Sequence, residues 1–173
     1  MAKEALLIID MLRDFMEPDG ALYCGDGARK IIPYVKSLIE NKKKEGAIII
    51  FVADTHEPDD KEFKMFPPHC IKGTKGAEII PELKPEKGDY IVEKKSFSAF
   101  FETNLDEILR TENIDKIHLV GVCTSICIME TVSELCVRAY ETYVHKNGVA
   151  DFDREAHIFS LRRMEKIFGA KIK

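Results

Sequence analysis

The chain has 173 residues, 45% of them hydrophobic and 32% charged, with a formal net charge of −4. That length suits one domain whose core needs no covalent staples, and the balance is that of an ordinary soluble globular protein. The negative charge argues against a nucleic-acid partner, whose phosphates demand a basic face. No 18-residue apolar run occurs, and "ALLII" near the start is too short for a signal peptide or a membrane span. A cytoplasmic protein with no membrane partner is expected, its five cysteines free thiols rather than a disulfide framework.

Short apolar runs alternate with amphipathic stretches, without internal repeat, low-complexity segment or linker. "ALLIIDM" (5–11) reads as a strand, and "ARKIIPYVKSLIENKKKEG" (28–46) as a helix closed by Gly46 as a C-cap, its lysines a solvated terminus. "AIIIFVAD" (47–54) is a second strand. An irregular stretch holding Pro58, Pro67, Pro68, Pro81 and Pro85 leads to a third, "DYIVEK" (89–94). "TNLDEILRTEN" (103–113) is a helix that Thr103 or Asn104 can cap. "KIHLVGV" (116–122) is a fourth strand and "TSICIMETVSELCVRAYE" (124–141) a helix with apolar residues at 128, 132, 135, 136 and 139. "TYVHK" (142–146) is a short fifth strand. "DREAHIFSLRRMEKIFG" (153–169) is a helix capped by Asp153, and "AKIK" a sixth strand.

This alternation predicts a three-layer αβα sandwich around a mostly parallel, Rossmann-like sheet of about six strands. In such folds ligands sit at the carboxyl ends of the strands. Asp10 ends the first strand, Asp54 the second, Lys94 the third, and Val122 with Cys123 the fourth. Four strands therefore deliver unusual residues to one edge.

Cys127 falls in the first turn of the helix after the fourth strand. Unpaired N–H groups there lower a thiol's pKa, favour the nucleophilic thiolate and can hold an oxyanion; a free cysteine can equally be a small buried apolar residue. Cys24, Cys70 and Cys136 are read in that second way. Asp10 is either a cap or salt-bridge partner, or a base that takes the proton of a nearby thiol. Lys94 is either solvated or a charge favouring the ionised forms of both. Asp54 and His56 are two apart, so an extended chain points them to one side. His69 returns after a loop, and Glu57, Asp59, Asp60 and Glu62 offer further oxygens. Two imidazoles with carboxylates suit zinc, iron or manganese. His118, inside a strand, reads as a core histidine; His145 and His157 have no assigned role.

Together these segments resemble the cysteine hydrolases of the isochorismatase-like superfamily, and among them the nicotinamidases (pyrazinamidases), over nearly the whole chain. "LLIIDMLRDF" is similar to their opening strand, with Asp10 as the catalytic aspartate and Phe15 as a substrate-stacking ring. "VEKKSFSAF" is similar to their lysine segment, which selects Lys94 rather than Lys95. "LVGVCTSICIMET" is similar to the nucleophile turn. The resemblance makes Cys127 the nucleophile and Cys123 an oxyanion-hole residue, with a cis peptide expected at Val122–Cys123. "KMFPPH" is similar to the form of the family in which a glutamate seven residues earlier is a further metal ligand. The resemblance thus implies Asp54, His56, Glu62 and His69 as ligands of one divalent metal, zinc first and iron or manganese next. It also implies Phe66 and Phe97 as ring walls, a small amide as substrate and, from the family's habit, a homo-oligomer. Thr55 and Asn147 depart from the usual family residues.

Overall fold

The computed structural model describes residues 3–173. Six strands, β1 (Lys3–Ile9), β2 (Ile48–Asp54), β3 (Tyr90–Lys94), β4 (Ile114–Val122), β5 (Glu141–Ala150) and β6 (Lys171–Ile172), form one sheet in the order β3-β2-β1-β4-β5-β6. Every pairing is parallel. Connections carry helices α1 (Arg13–Met16), α2 (Asp26–Lys30), α3 (Ile32–Lys44), α4 (Leu105–Thr111), α5 (Met129–Val137) and α6 (Arg154–Lys166).

Strand residues alternate between two cores, as a sheet covered on both faces requires. Leu6 and Ile8 of β1 pack with Ile49, Phe51 and Ala53 of β2 on the side of α3. Ala5, Leu7 and Ile9 pack with Ile50 and Val52 on the side of α4, α5 and α6. The strand order reverses between β1 and β4, and the crevice at such a switch point is where open α/β sheets bind ligands. Gly121 sets how closely those two strands approach. It holds φ +123°, and a Cβ there would lie 2.0 Å from the Ile9 carbonyl oxygen.

Several boundaries differ from expectation. The helix expected over 28–46 is interrupted at Ile31, and Gly46 follows α3 with φ +81° as the predicted C-cap. The helix expected over 124–141 opens as a wider π-type turn at Thr124–Ile128 and stops at Val137, with Ala139 at φ +61°. Cys136, in the last turn of α5 but off its buried face of Thr131, Val132 and Leu135, is exposed, correcting its assignment as a buried apolar residue; Cys24 and Cys70 are buried. β5 outruns 142–146 because, after a register shift, Val149 and Ala150 pair with Gly121 and Val122. Thr103 rather than Asn104 supplies the side-chain cap of α4, its Oγ1 accepting from the Leu105 N–H at 3.3 Å. Asp153 caps α6 through the Glu155 and Ala156 N–H groups.

Candidate active site

The carboxyl ends of β1, β2 and β3 converge on one buried ammonium. Lys94 Nζ donates to Asp54 Oδ1 at 2.5 Å and to the Ser96 carbonyl at 2.9 Å. It lies 2.9 Å from Asp10 Oδ2 and 3.5 Å from the Cys127 sulfur. Its neighbour Lys95 points to solvent near Glu57, so the fold selects between the two lysines by burying one. Asp10 leaves β1 with φ +54°; its N–H donates to the Val52 carbonyl, and its Oδ1 accepts from the Asp54 N–H at 3.0 Å.

Burial dominates the titration here. It pushes the Asp10 carboxyl up to about 6, against the pull of Lys94. It raises the Cys127 thiol well above the ordinary value, again against Lys94. The expected lowering of that thiol's pKa is therefore reversed at rest: the sulfur is desolvated and faces the negative charges of Asp10 and Asp54. Burial pulls the Lys94 pKa down, but the charges of Asp10 and Asp54 hold it well above the usual lysine value. The cluster thus sets an acid and a thiol beside one fixed positive charge.

Cys127 sits in the turn after β4, where the Val122–Cys123 peptide is cis. The Cys123 carbonyl accepts from the Ile126 and Ile128 N–H groups, and the Ser125 N–H donates to Asp151 Oδ2 at 2.7 Å. Asp151 went unnoticed in the sequence because it braces this turn from 26 residues away, while its other oxygen accepts from the nearby Asp153 N–H. His157 Nδ1 lies 2.8 Å from Thr124 Oγ1 in the same turn.

A second cluster begins on the other oxygen of Asp54. Asp54, His56, Glu62 and His69 each present one donor atom, all within 4.8 Å of one another. The rings are aimed by acceptors behind them: Asp60 Oδ2 is 3.0 Å from His56 Nδ1, and the Pro67 carbonyl is 2.8 Å from His69 Nδ1. Since both partners only accept, each Nδ1 carries the proton and each Nε2 turns its lone pair inward. His56 Nε2 is buried without a hydrogen bond, 3.2 Å from Asp54 Oδ2. His69 Nε2 lies 3.6 Å from Asp54 Oδ2 and 3.7 Å from Glu62 Oε1. Acceptors aimed at one point require a positive charge between them. Without one the cluster draws protons: burial opposes it, but Asp54 and Asp60 raise His56 to about 9. The donor set fits a divalent ion that prefers mixed nitrogen and oxygen ligands.

Both clusters open on a cavity of about 440 Å³ lined by Phe15, Phe66, Phe97, His69, Cys123 and Cys127 among others. Phe66 meets Phe97 edge-on, and the Phe15 ring lies 5.5 Å from that of His69. Phe63, which sequence reasoning missed, packs edge-on against both histidine rings. Asp60 stood among the possible oxygens but proves to orient His56 and to cap the 3-10 turn that carries Glu62. Its i,i+4 spacing from His56 was the available signal. His118 and His145 lie outside this site, in a buried network with Tyr34 and Glu4.

The isochorismatase domain family matches residues 4–173. The nicotinamidase/pyrazinamidase PncA of Bacillus subtilis superposes with a TM-score of 0.93 at 36% identity, over 98% of both chains. The N-carbamoylsarcosine amidase of Thermoplasma acidophilum gives 0.90 at 34%, over 99% of this chain and 95% of that one. The pyrazinamidase of Pyrococcus horikoshii, solved in complex with zinc, gives 0.93 at 31%, over 99% and 98%.

Proposed function

This chain belongs to the isochorismatase family, and on that footing we propose that it is a metal-dependent cysteine amidohydrolase converting nicotinamide to nicotinic acid and ammonia. The observation that carries the proposal is that Asp54 belongs to both clusters, one carboxylate oxygen on Lys94 and the other among the imidazoles. A four-donor metal set beside an acid–lysine–thiol set, with aromatic walls between, suits a small aromatic amide whose ring is held while its amide meets the thiol. Pyrazinamide has the same shape and is expected to turn over as well, and the reaction would serve salvage of the nicotinamide ring.

Asp54, His56, Glu62 and His69 would hold the ion, with zinc the first choice and iron(II) or manganese(II) also suited; when bound it supplies a Lewis-acid anchor for a ring nitrogen. The remaining chemistry belongs to the chain. Asp10 accepts the proton of Cys127, and Lys94 stabilises both anions as the thiolate attacks the amide carbonyl. The N–H groups of Cys123 and Cys127 receive the oxyanion, each donor worth about 3–4 kcal/mol. Asp10 returns the proton to departing ammonia and then assists the water that cleaves the thioester. Phe15, Phe66 and Phe97 position the ring and exclude bulk water.

The test is ammonia release from nicotinamide, before and after chelation, with metal content measured in parallel. Activity lost with the metal and restored by zinc or iron supports the proposal. Metal-loaded protein that releases no ammonia from nicotinamide but hydrolyses N-carbamoyl compounds would overturn the substrate and keep the triad.

A further inference from the structure

We propose that Cys24 and Cys123 form a reversible disulfide in the wall of the substrate cavity, a redox site separate from the Cys127 nucleophile. The two residues stand 99 positions apart in the chain, yet their sulfurs lie 3.3 Å from each other. A disulfide requires about 2.05 Å, so closure asks for little more than an ångström of sulfur movement. The two thiols come from different walls. Cys24 ends the loop after α1, where its N–H donates to the Phe15 carbonyl at 2.9 Å. Cys123 opens the nucleophile turn through the carbonyl that accepts from Ile126 and Ile128. Both line the cavity, so a small oxidant entering by the substrate's route reaches the pair.

The oxidant is hydrogen peroxide. The Cys24 sulfur attacks one peroxide oxygen and breaks the O–O bond, giving a sulfenic acid; the released hydroxide takes the Cys24 proton and leaves as water. The Cys123 sulfur then displaces the sulfenic hydroxyl, its own proton leaving with that oxygen as a second water. Two thiols are oxidised by two electrons and one peroxide is reduced to two waters. The new bond straps the loop after α1 to the turn holding Cys127 and draws Cys123 out of its reduced position. Turnover therefore falls and returns on reduction; this consequence rests on the amidase proposal, whereas the cross-link itself does not.

The experiment treats fully reduced protein with graded hydrogen peroxide, alkylates the remaining thiols and maps peptides without reduction. Wild type, Cys127→Ala and Cys24→Ser are compared. The expected result is a joined pair of peptides carrying Cys24 and Cys123, lighter by two hydrogens and separated by dithiothreitol. It should be present in Cys127→Ala and absent in Cys24→Ser. Recovery of Cys24 and Cys123 as alkylated thiols at doses that oxidise Cys127, or a Cys123–Cys127 link instead, overturns the proposal. In wild type, ammonia release should drop several-fold in step with the cross-link and recover with dithiothreitol, whereas in Cys24→Ser, normalised to its own reduced rate, that reversible drop should be missing. A cross-link that leaves the rate unchanged refutes the effect on turnover. Because mapping needs no substrate, failure of the amidase assay would be seen separately.

Discussion

Lys94 and Asp54 are joined by a 2.5 Å hydrogen bond inside the protein, and the same ammonium lies 2.9 Å from Asp10. One buried cation is therefore shared by the carboxylate beside the thiol and the carboxylate of the four-donor cluster. The two halves of the site are electrostatically one.

Replacing Lys94 with methionine leaves Asp10 and Asp54 buried without their counter-charge. Breaking a buried pair in this way costs about 3–5 kcal/mol, read as a lower denaturation midpoint. Ammonia release should be lost as well, while metal is still taken up because all four donors remain.

Cys127→Ala is expected to lower turnover by ~10³-fold or more, as removal of a covalent nucleophile does, without changing metal content. Kinetics and metal analysis on the same preparation check both halves. Full activity in this variant would remove Cys127 from the mechanism.

The Asp60 carboxylate meets the far side of His56 and the Glu62 N–H. Asp60→Ala should weaken zinc affinity by ~10–100-fold, the usual cost of losing a partner that orients a ligand. A competition titration against a chromophoric chelator measures it. Unchanged affinity would mean that packing against Phe63 alone fixes the imidazole.

Gly121→Ala combines a left-handed φ of +123° with a Cβ 2.0 Å from the Ile9 carbonyl oxygen. Strand β4 must shift away from β1 just before Asp10 and the nucleophile turn. A loss of about 3 kcal/mol or more is expected, with ammonia release falling further than stability alone explains. Denaturant titration and kinetics separate the two effects.

The hydrogen-bonded His118–His145 pair is expected to weaken the fold in acid. Burial, with the nearby Lys42 charge, lowers His118 to about 4; burial and the His118 charge lower His145 to about 4. Tyr34, Glu4, Lys42, Tyr143 and Lys173 surround the two rings. Between pH 4 and the unfolded value of 6.5 these two residues bind more protons in the unfolded chain, so their contribution to stability falls as pH drops through that window. Each unit of depression corresponds to about 1.4 kcal/mol. Melting curves from pH 7 to 4 should show a shallower loss in His118→Gln than in the parent; identical slopes would refute the assignment.

Local pattern in the sequence determined the strands, their two-sided burial and the residues that end them. Apolar runs bounded by polar residues place Asp10, Asp54 and Lys94 at strand ends whatever the sheet order. The D-x-H spacing likewise puts Asp54 and His56 on one side of an extended chain. Through the family resemblance, Glu62 and Cys127 were legible too. What only the tertiary structure decided is every relation that depends on which strands are neighbours. The sheet order brings β1, β2 and β3 onto a single ammonium. It buries Lys94 and leaves Lys95 in water, and burial in turn raises the Cys127 thiol that a helix start alone would lower. It also seats Cys24 against Cys123 and braces the nucleophile turn with Asp151. Periodicity encodes which face of an element is apolar, but desolvation and long-range contact arise only when elements meet, and no local spacing carries them.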